Sequence, residues 1–230
     1  MKKLMIRQPG YMPNIGFFKK IQSSDIFIFL DDSQFSKDRF DNRNRIRTKN
    51  NFQWITVPIR RPVFGKNLNE ILISHDEKWV EHHLDKIKES YEKTKYFSSY
   101  WDDLSKILKR NHNKLIDLNM DLINYFCKEL EIYTDTYFSS SFPTEKTSTE
   151  KLVFLCKNVG AECYISGISG LEYLDKNKFF EINVKVIFEN FDHPKYEQIH
   201  GNFIENMSII DLFMNMGDSS KKIISDCKNF

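Results

Sequence analysis

The sequence predicts an α/β fold: an open, mostly parallel sheet with a helical subdomain. Three observations predict it. Apolar runs at residues 3–7 and 26–30 flank an amphipathic stretch, which makes a strand–helix–strand unit within thirty residues. A long tract from Glu77 to about Leu130 repeats with helical period. Strand and helix patterns then alternate again from Ile132 onward.

Residues 3–7 read as a short buried strand that stops at Gln8-Pro9-Gly10, because proline cannot donate to a ladder. From Gly16 to Ser23, the apolar positions Phe17, Phe18 and Ile21 mark a short amphipathic helix. Ile26-Phe27-Ile28-Phe29-Leu30 is apolar without interruption, as in a parallel strand buried on both faces. Residues 33–51 are polar and basic without a period and read as a loop. Strands are expected at 53–58, ending at Pro58, and at 70–73. The helical tract carries three apolar faces: Trp79, Leu84, Ile87 and Tyr91; Leu104, Ile107 and Leu108; and Leu115, Leu118, Leu122, Tyr125 and Phe126. Ile132 to Phe138 is a candidate strand, and Ser148-Thr149-Glu150 starts a helix that Gly160 ends. Cys163-Tyr164-Ile165 leads into the turn Ser166-Gly167-Ile168-Ser169-Gly170, Val184 to Phe188 is a further strand, and two helices close the chain. The expected organisation is 1–75 as an N-terminal α/β part, 76–131 as the helical subdomain, and 132–230 as the part that completes the same domain.

With 230 residues, 40 % apolar and 29 % charged, the chain is long enough for one large core. A net charge of +2 gives no bulk electrostatic reason to expect a nucleic-acid partner. Cys127, Cys156, Cys163 and Cys227 form no C-x-x-C pair and read as buried thiols. Met1 to Ile6 give way at once to Arg7 and Pro9, too short for a signal peptide. No apolar run nears the ~20 residues of a bilayer span. A cytoplasmic protein is expected.

Four segments carry candidate chemistry. Gln8 to Gly16 joins the first strand to the first helix, where a Gly/Pro-rich turn and Lys19 can meet an anion or simply make a tight connection. Asp31 and Asp32, followed by Gln34, end the second strand; two such carboxylates suit Mg²⁺, a ribose or an ammonium, and equally a solvated turn. Asn42-Arg43-Asn44-Arg45 alternates guanidinium groups with amides inside the basic stretch 37–49, a pattern for phosphate or carboxylate as well as a solvated face. The Ser166–Gly170 turn, with Ser169, can cradle a phosphate, but its glycine spacing is not that of a nucleophile elbow. His75, His82, His83, His112, His193 and His200 show no metal-binding spacing, and no metal site is expected.

Taken together, certain residues resemble the WbqC-like family. They are Gln8-Pro9-x-Tyr11-x-Pro13-x-x-Gly16-Phe17-Phe18, Asp31-x-x-Gln34-Phe35, Asn42-Arg43-Asn44-Arg45-Ile46 and Trp54-x-Thr56-Val57-Pro58. Further along come Tyr164-x-Ser166-Gly167-x-x-Gly170-x-x-Tyr173-Leu174, Tyr196-x-Gln198 and Ser208-Ile209-x-Asp211-Leu212. The resemblance runs in order along nearly the whole chain. It departs at Arg7, where members often carry His before Gln-Pro, and at Asn14, where Trp commonly follows the second proline. The layout of the first strand–helix–strand unit is similar to the nucleotidylyltransferase or Rossmann-like superfold. Members are similar to proteins encoded among enzymes of O-antigen and capsule biosynthesis. The resemblance implies a role in that biosynthesis; with two carboxylates and a cationic loop beside one expected cleft, the expected activity is acyl or aminoacyl transfer to a nucleotide-linked amino sugar. A non-catalytic nucleotide-sugar-binding or scaffolding role and nucleotidyl transfer are the alternatives. Asp31, Asp32 and Lys19 would be catalytic. Gln8, Tyr11, Gln34, Asn42 to Arg45, Ser166, Gly167, Ser169, Gly170, Tyr173, Tyr196 and Gln198 would bind a nucleotide-linked sugar or another phosphorylated small molecule. ATP with Mg²⁺ is left open as a cofactor.

Overall fold

The computed structural model describes residues 1–37, 39–75 and 78–228. Five parallel strands form its central sheet: β1 (Lys3–Arg7), β2 (Ile26–Phe29), β5 (Asp135–Phe138), β6 (Cys163–Ser166) and β7 (Lys185–Phe188). A separate antiparallel hairpin pairs β3 (Arg43–Arg47) with β4 (Phe52–Thr56). The helices are α1 (Ile15–Gln22), α2 (Trp79–Tyr91), α3 (Phe97–Leu108), α4 (Leu115–Glu129), α5 (Ser148–Asn158), α6 (Lys176–Phe180), α7 (Ile209–Met216) and α8 (Ser219–Asp226).

Spatial order in the sheet is β5-β2-β1-β6-β7. Numbering only these five along the chain gives the doubly wound order 3-2-1-4-5, whose topological switch point lies between β1 and β6. Alternate side chains of the strands feed two cores. Met5, Phe27, Phe29, Cys163 and Ile165 pack with α1, α3, α4 and α7 on one face. Leu4, Ile26, Ile28 and Tyr164 pack with Leu152, Leu155, Cys156 and Phe179 on the other. The open, parallel α/β layout and the three consecutive helices agree with the sequence reading. The expected start of the helical tract, Glu77, lies outside the described residues. All four cysteines are free thiols. No helix among the described residues is long and apolar enough to cross a membrane.

The expected loop at 33–51 in fact contains β3. Its inward side chains, Asn44 and Ile46, include an amide, so the strand shows no apolar alternation. The expected strand at 70–73 is a 3₁₀ turn, Leu68–Glu70, followed by single bridges from Leu72 to Lys114 and from Ile73 to Ile59. Residues 196–200 have no regular structure, and their polar groups bond inward to α7.

Candidate functional site

A cleft of about 390 Å³ opens at the carboxyl end of β1, beside the switch point, and is lined by residues including Arg7, Gln8, Gly10, Asn14, Phe17 and Lys20. Arg39, Phe40, Asp41 and Asn44 close its far side. Its walls are stitched together by backbone bonds. The Tyr11 amide donates to the Phe40 carbonyl at 2.9 Å. A Cβ on Gly10 would lie 2.8 Å from that same oxygen, so the close approach requires glycine. Buried Asn119 on α4 donates to both Pro9 O and Asp41 O at 2.9 Å, which ties the two loops to the helical layer.

Three cations face this cleft. Arg7 and Arg39 are exposed, and among the described residues neither guanidinium makes a hydrogen bond or ion pair. Lys20 pairs with Glu189 at 2.8 Å, both groups mostly shielded from water. Burial lowers the Lys20 pKa; Glu189 opposes that and Arg7 adds to it. A side chain at position 167 would meet Glu189 Oε1 at 3.3 Å and Arg7 Nη1 at 3.9 Å, so Gly167 keeps the mouth of β6 open to these charges. Asp41 is only 3 % exposed, and its Oδ2 accepts one bond, from the Ser36 amide at 3.0 Å. Burial raises its carboxyl above the ordinary range, while the Ser36 amide and the charges of Arg39 and Arg7 pull it back. A buried carboxylate with spare acceptor capacity, beside uncommitted cations, can bind an anion and exchange a proton in one place.

The residues expected from sequence divide between this cleft and other places. Gln8 and Asn44 line the cleft. Gln34 lines an adjoining hollow with Gln8 and Arg39. Lys19 is turned away: its ammonium donates to Ser225 O at 2.9 Å and to Gln22, tying α1 to α8. Asp31 is buried and accepts bonds from Ser139 Oγ, the Ser140 amide and hydroxyl, and Asn69 Nδ2, thereby clamping the segment after β5. Asp32 pairs with Lys151 at 2.6 Å and accepts from Ser139. Oxygens committed in this way do not fit a Mg²⁺ site as they stand. Tyr11 is fully buried and bonds His83 Nδ1 at 2.9 Å. Since His83 Nε2 faces the Thr56 carbonyl, that nitrogen carries the proton and the tyrosine hydroxyl donates.

Asn42 Nδ2 holds the Val57 carbonyl at 2.8 Å, and Asn44 Nδ2 holds the Tyr11 and Met12 carbonyls. Arg43 stacks over Trp54, while Arg45 stacks over Phe52 and donates to Asn206 O, on the outer face of the hairpin. Ser166 is buried beside Gly170, with its hydroxyl donating to Gly167 O; Ser169 is exposed on the 3₁₀ turn that follows, Ile168–Glu172, and Tyr173 is exposed just after it. Tyr196 and Gln198 donate to Asp211, far into the core.

Sequence reasoning missed Lys20, Arg39, Asp41 and Glu189, and noted Arg7 only as a departure. The signal for Lys20 is geometric: it lies three residues after cleft-lining Phe17, on the same helix face, whereas Lys19 is rotated by about 100°. Asp41 and Glu189 had no signal, since each lies in an irregular segment.

A profile of the WbqC-like protein family matches residues 8–223. The chain is also 34 % identical over 231 residues to "Uncharacterized protein Rv1507c" of Mycobacterium tuberculosis (strain ATCC 25618 / H37Rv), covering 99 % of this chain and 100 % of that relative. No solved structure matches the chain.

Proposed function

The chain belongs to the WbqC-like protein family, and from that premise we propose that it binds a nucleotide-linked amino sugar in the cleft at β1. It transfers an acyl or aminoacyl group to the sugar's nitrogen, as a step of surface-polysaccharide biosynthesis. The observation that carries this reading is Asp41, buried yet incompletely bonded, beside Arg7, Arg39 and Lys20. Guanidinium and ammonium groups suit the phosphates, with Arg offering paired donors. The amine lone pair attacks the donor's carbonyl carbon, the bond to the leaving group breaks with its electron pair, and an amide forms. Asp41 takes the proton that nitrogen sheds and returns it to the leaving group. Its raised pKa brings it closer to neutrality, where a general base works best.

The described lining residues of this lobe include no Ser, Thr or Cys, and its two groups of nucleophilic type, Asp41 and Lys20, take the proton-transfer and phosphate roles here, so the transfer is written as direct. The same observation supports the second reading, a protein that binds nucleotide sugars without turnover.

Incubating the purified protein with nucleotide-linked amino sugars, ATP and amino acids, or activated acyl donors, should raise the sugar's mass by the transferred group. Asp41→Asn should abolish turnover and keep binding. In the wild type the rate should climb as pH rises through the elevated Asp41 pKa. Binding without product across the panel would leave only the second reading.

A further inference from the structure

Past the charged lobe, the cleft continues over Gln8 and Arg39 into a second hollow of about 450 Å³, lined by Gln8, Gln34, Phe35, Ser36 and Arg39. Its chemistry differs from that of the first. Among the described residues Arg39 is its only charged lining residue; two amides and a hydroxyl supply neutral donors and acceptors, and Phe35 supplies a mostly buried ring.

The backbone of this wall is tied down by hydrogen bonds. The Phe35 amide donates to Lys66 O at 3.0 Å, the Leu68 amide to Ser33 O at 2.9 Å, and Gln34 bridges Asn67 through the backbone. Gln8 Nε2 donates to Ser33 Oγ at 2.7 Å, and that hydroxyl donates on to Leu30 O. The chain of bonds orients the Gln8 amide and leaves its Oε1 uncommitted. The exposed Gln34 side chain makes no hydrogen bond among the described residues. One amide held in place, a second free to turn to a ligand, and an aromatic ring match a pyranose: its hydroxyls both donate and accept, and its C–H face is apolar. Asp41 joins the two hollows, because it lines the first and accepts from Ser36 of the second.

We infer that the second hollow is a glycosyl subsite, in which Gln8 and Gln34 hold an uncharged pyranose ring with its nitrogen turned towards Asp41. The inference rests on the proposed phosphate role of the charged lobe for the direction in which the ligand lies.

Saturation-transfer NMR on the full chain, with uridine diphosphate and N-acetylglucosamine as separate probes, tests it. Both probes should give signals with the wild type. Gln34→Ala should weaken the sugar about three- to tenfold, the factor one lost hydrogen bond gives, and leave uridine diphosphate unchanged. Arg7→Ala should do the reverse. Absence of a sugar signal from the wild type, or a signal indifferent to Gln34→Ala, overturns the subsite. A Gln34-dependent sugar signal without any nucleotide response overturns the phosphate reading and leaves the subsite standing. Because Gln34 is exposed and its backbone alone is bonded, loss of folding does not confound the variant.

Discussion

Asp211 and Asp41 are both buried carboxylates whose pKa burial raises, yet their surroundings are opposite. Asp211 accepts from Tyr91 at 3.0 Å, Tyr196 at 2.7 Å and Gln198 at 2.8 Å. Tyr91 accepts in turn from the amide of Arg47, whose guanidinium is itself spent on the carbonyls of Thr48, Asn51, His200 and Asn202. The network joins α2, β3, α7 and the 196–202 segment. Asp41 has one amide partner and opens on a cleft. A polar group whose bonding capacity is consumed by the protein holds the fold; one with capacity left beside solvent is available to a ligand.

The largest expected effect breaks the first half of that contrast. Asp211→Ala strands two tyrosine hydroxyls and an amide in the core and should cost about 3–5 kcal/mol of stability, measured by urea unfolding. Asp41→Asn should cost far less and act on turnover. If the two variants lost equal stability, the distinction between them would fail. The pH dependence has a definite sign. The folded pKa of Asp211 lies above its unfolded value, so its contribution is fully present below the ordinary carboxylate pKa. That contribution is lost as pH rises through the elevated one. Asp211→Asn should flatten the stability curve across that window.

Asp31 extends the contrast, because the reading built on the family resemblance made it catalytic. Asp31→Ala removes the acceptor for Ser139, Ser140 and Asn69 and should destabilise the chain by about 2–4 kcal/mol. Ligand affinity per folded molecule should stay constant in calorimetry. A stable variant with impaired turnover would restore the catalytic reading.

These cases show which parts were legible. β1, α1 and β2 were readable because their apolar periods have one cause, burial. β3 was not, because Asn44 and Arg47 are buried for their hydrogen bonds and interrupt the alternation. At the site, residue type was legible and commitment was not: Asp31 at a strand's carboxyl end has the composition of a ligand site, and only the positions of Ser139 and Ser140, over a hundred residues away, reveal a clamp.

The smallest expected effect separates two adjacent lysines. Lys19 donates to Ser225 O, so Lys19→Met removes a link between α1 and α8 and should cost about 0.5–1.5 kcal/mol without changing phosphate affinity. Lys20 faces the cleft, so Lys20→Met should weaken uridine diphosphate about tenfold, and the shielded Glu189 it leaves unpaired should cost stability as well. The loss of affinity has two sources, however: a missing cation and a Glu189 carboxylate left without its partner. Lys20→Met combined with Glu189→Gln removes the second. If the double variant regains wild-type affinity, Lys20 serves only to neutralise Glu189; if it stays weak, Lys20 contacts the phosphate. A loss from Lys19→Met equal to that from Lys20→Met would mean that helix register, and not the face turned to the cleft, governs binding.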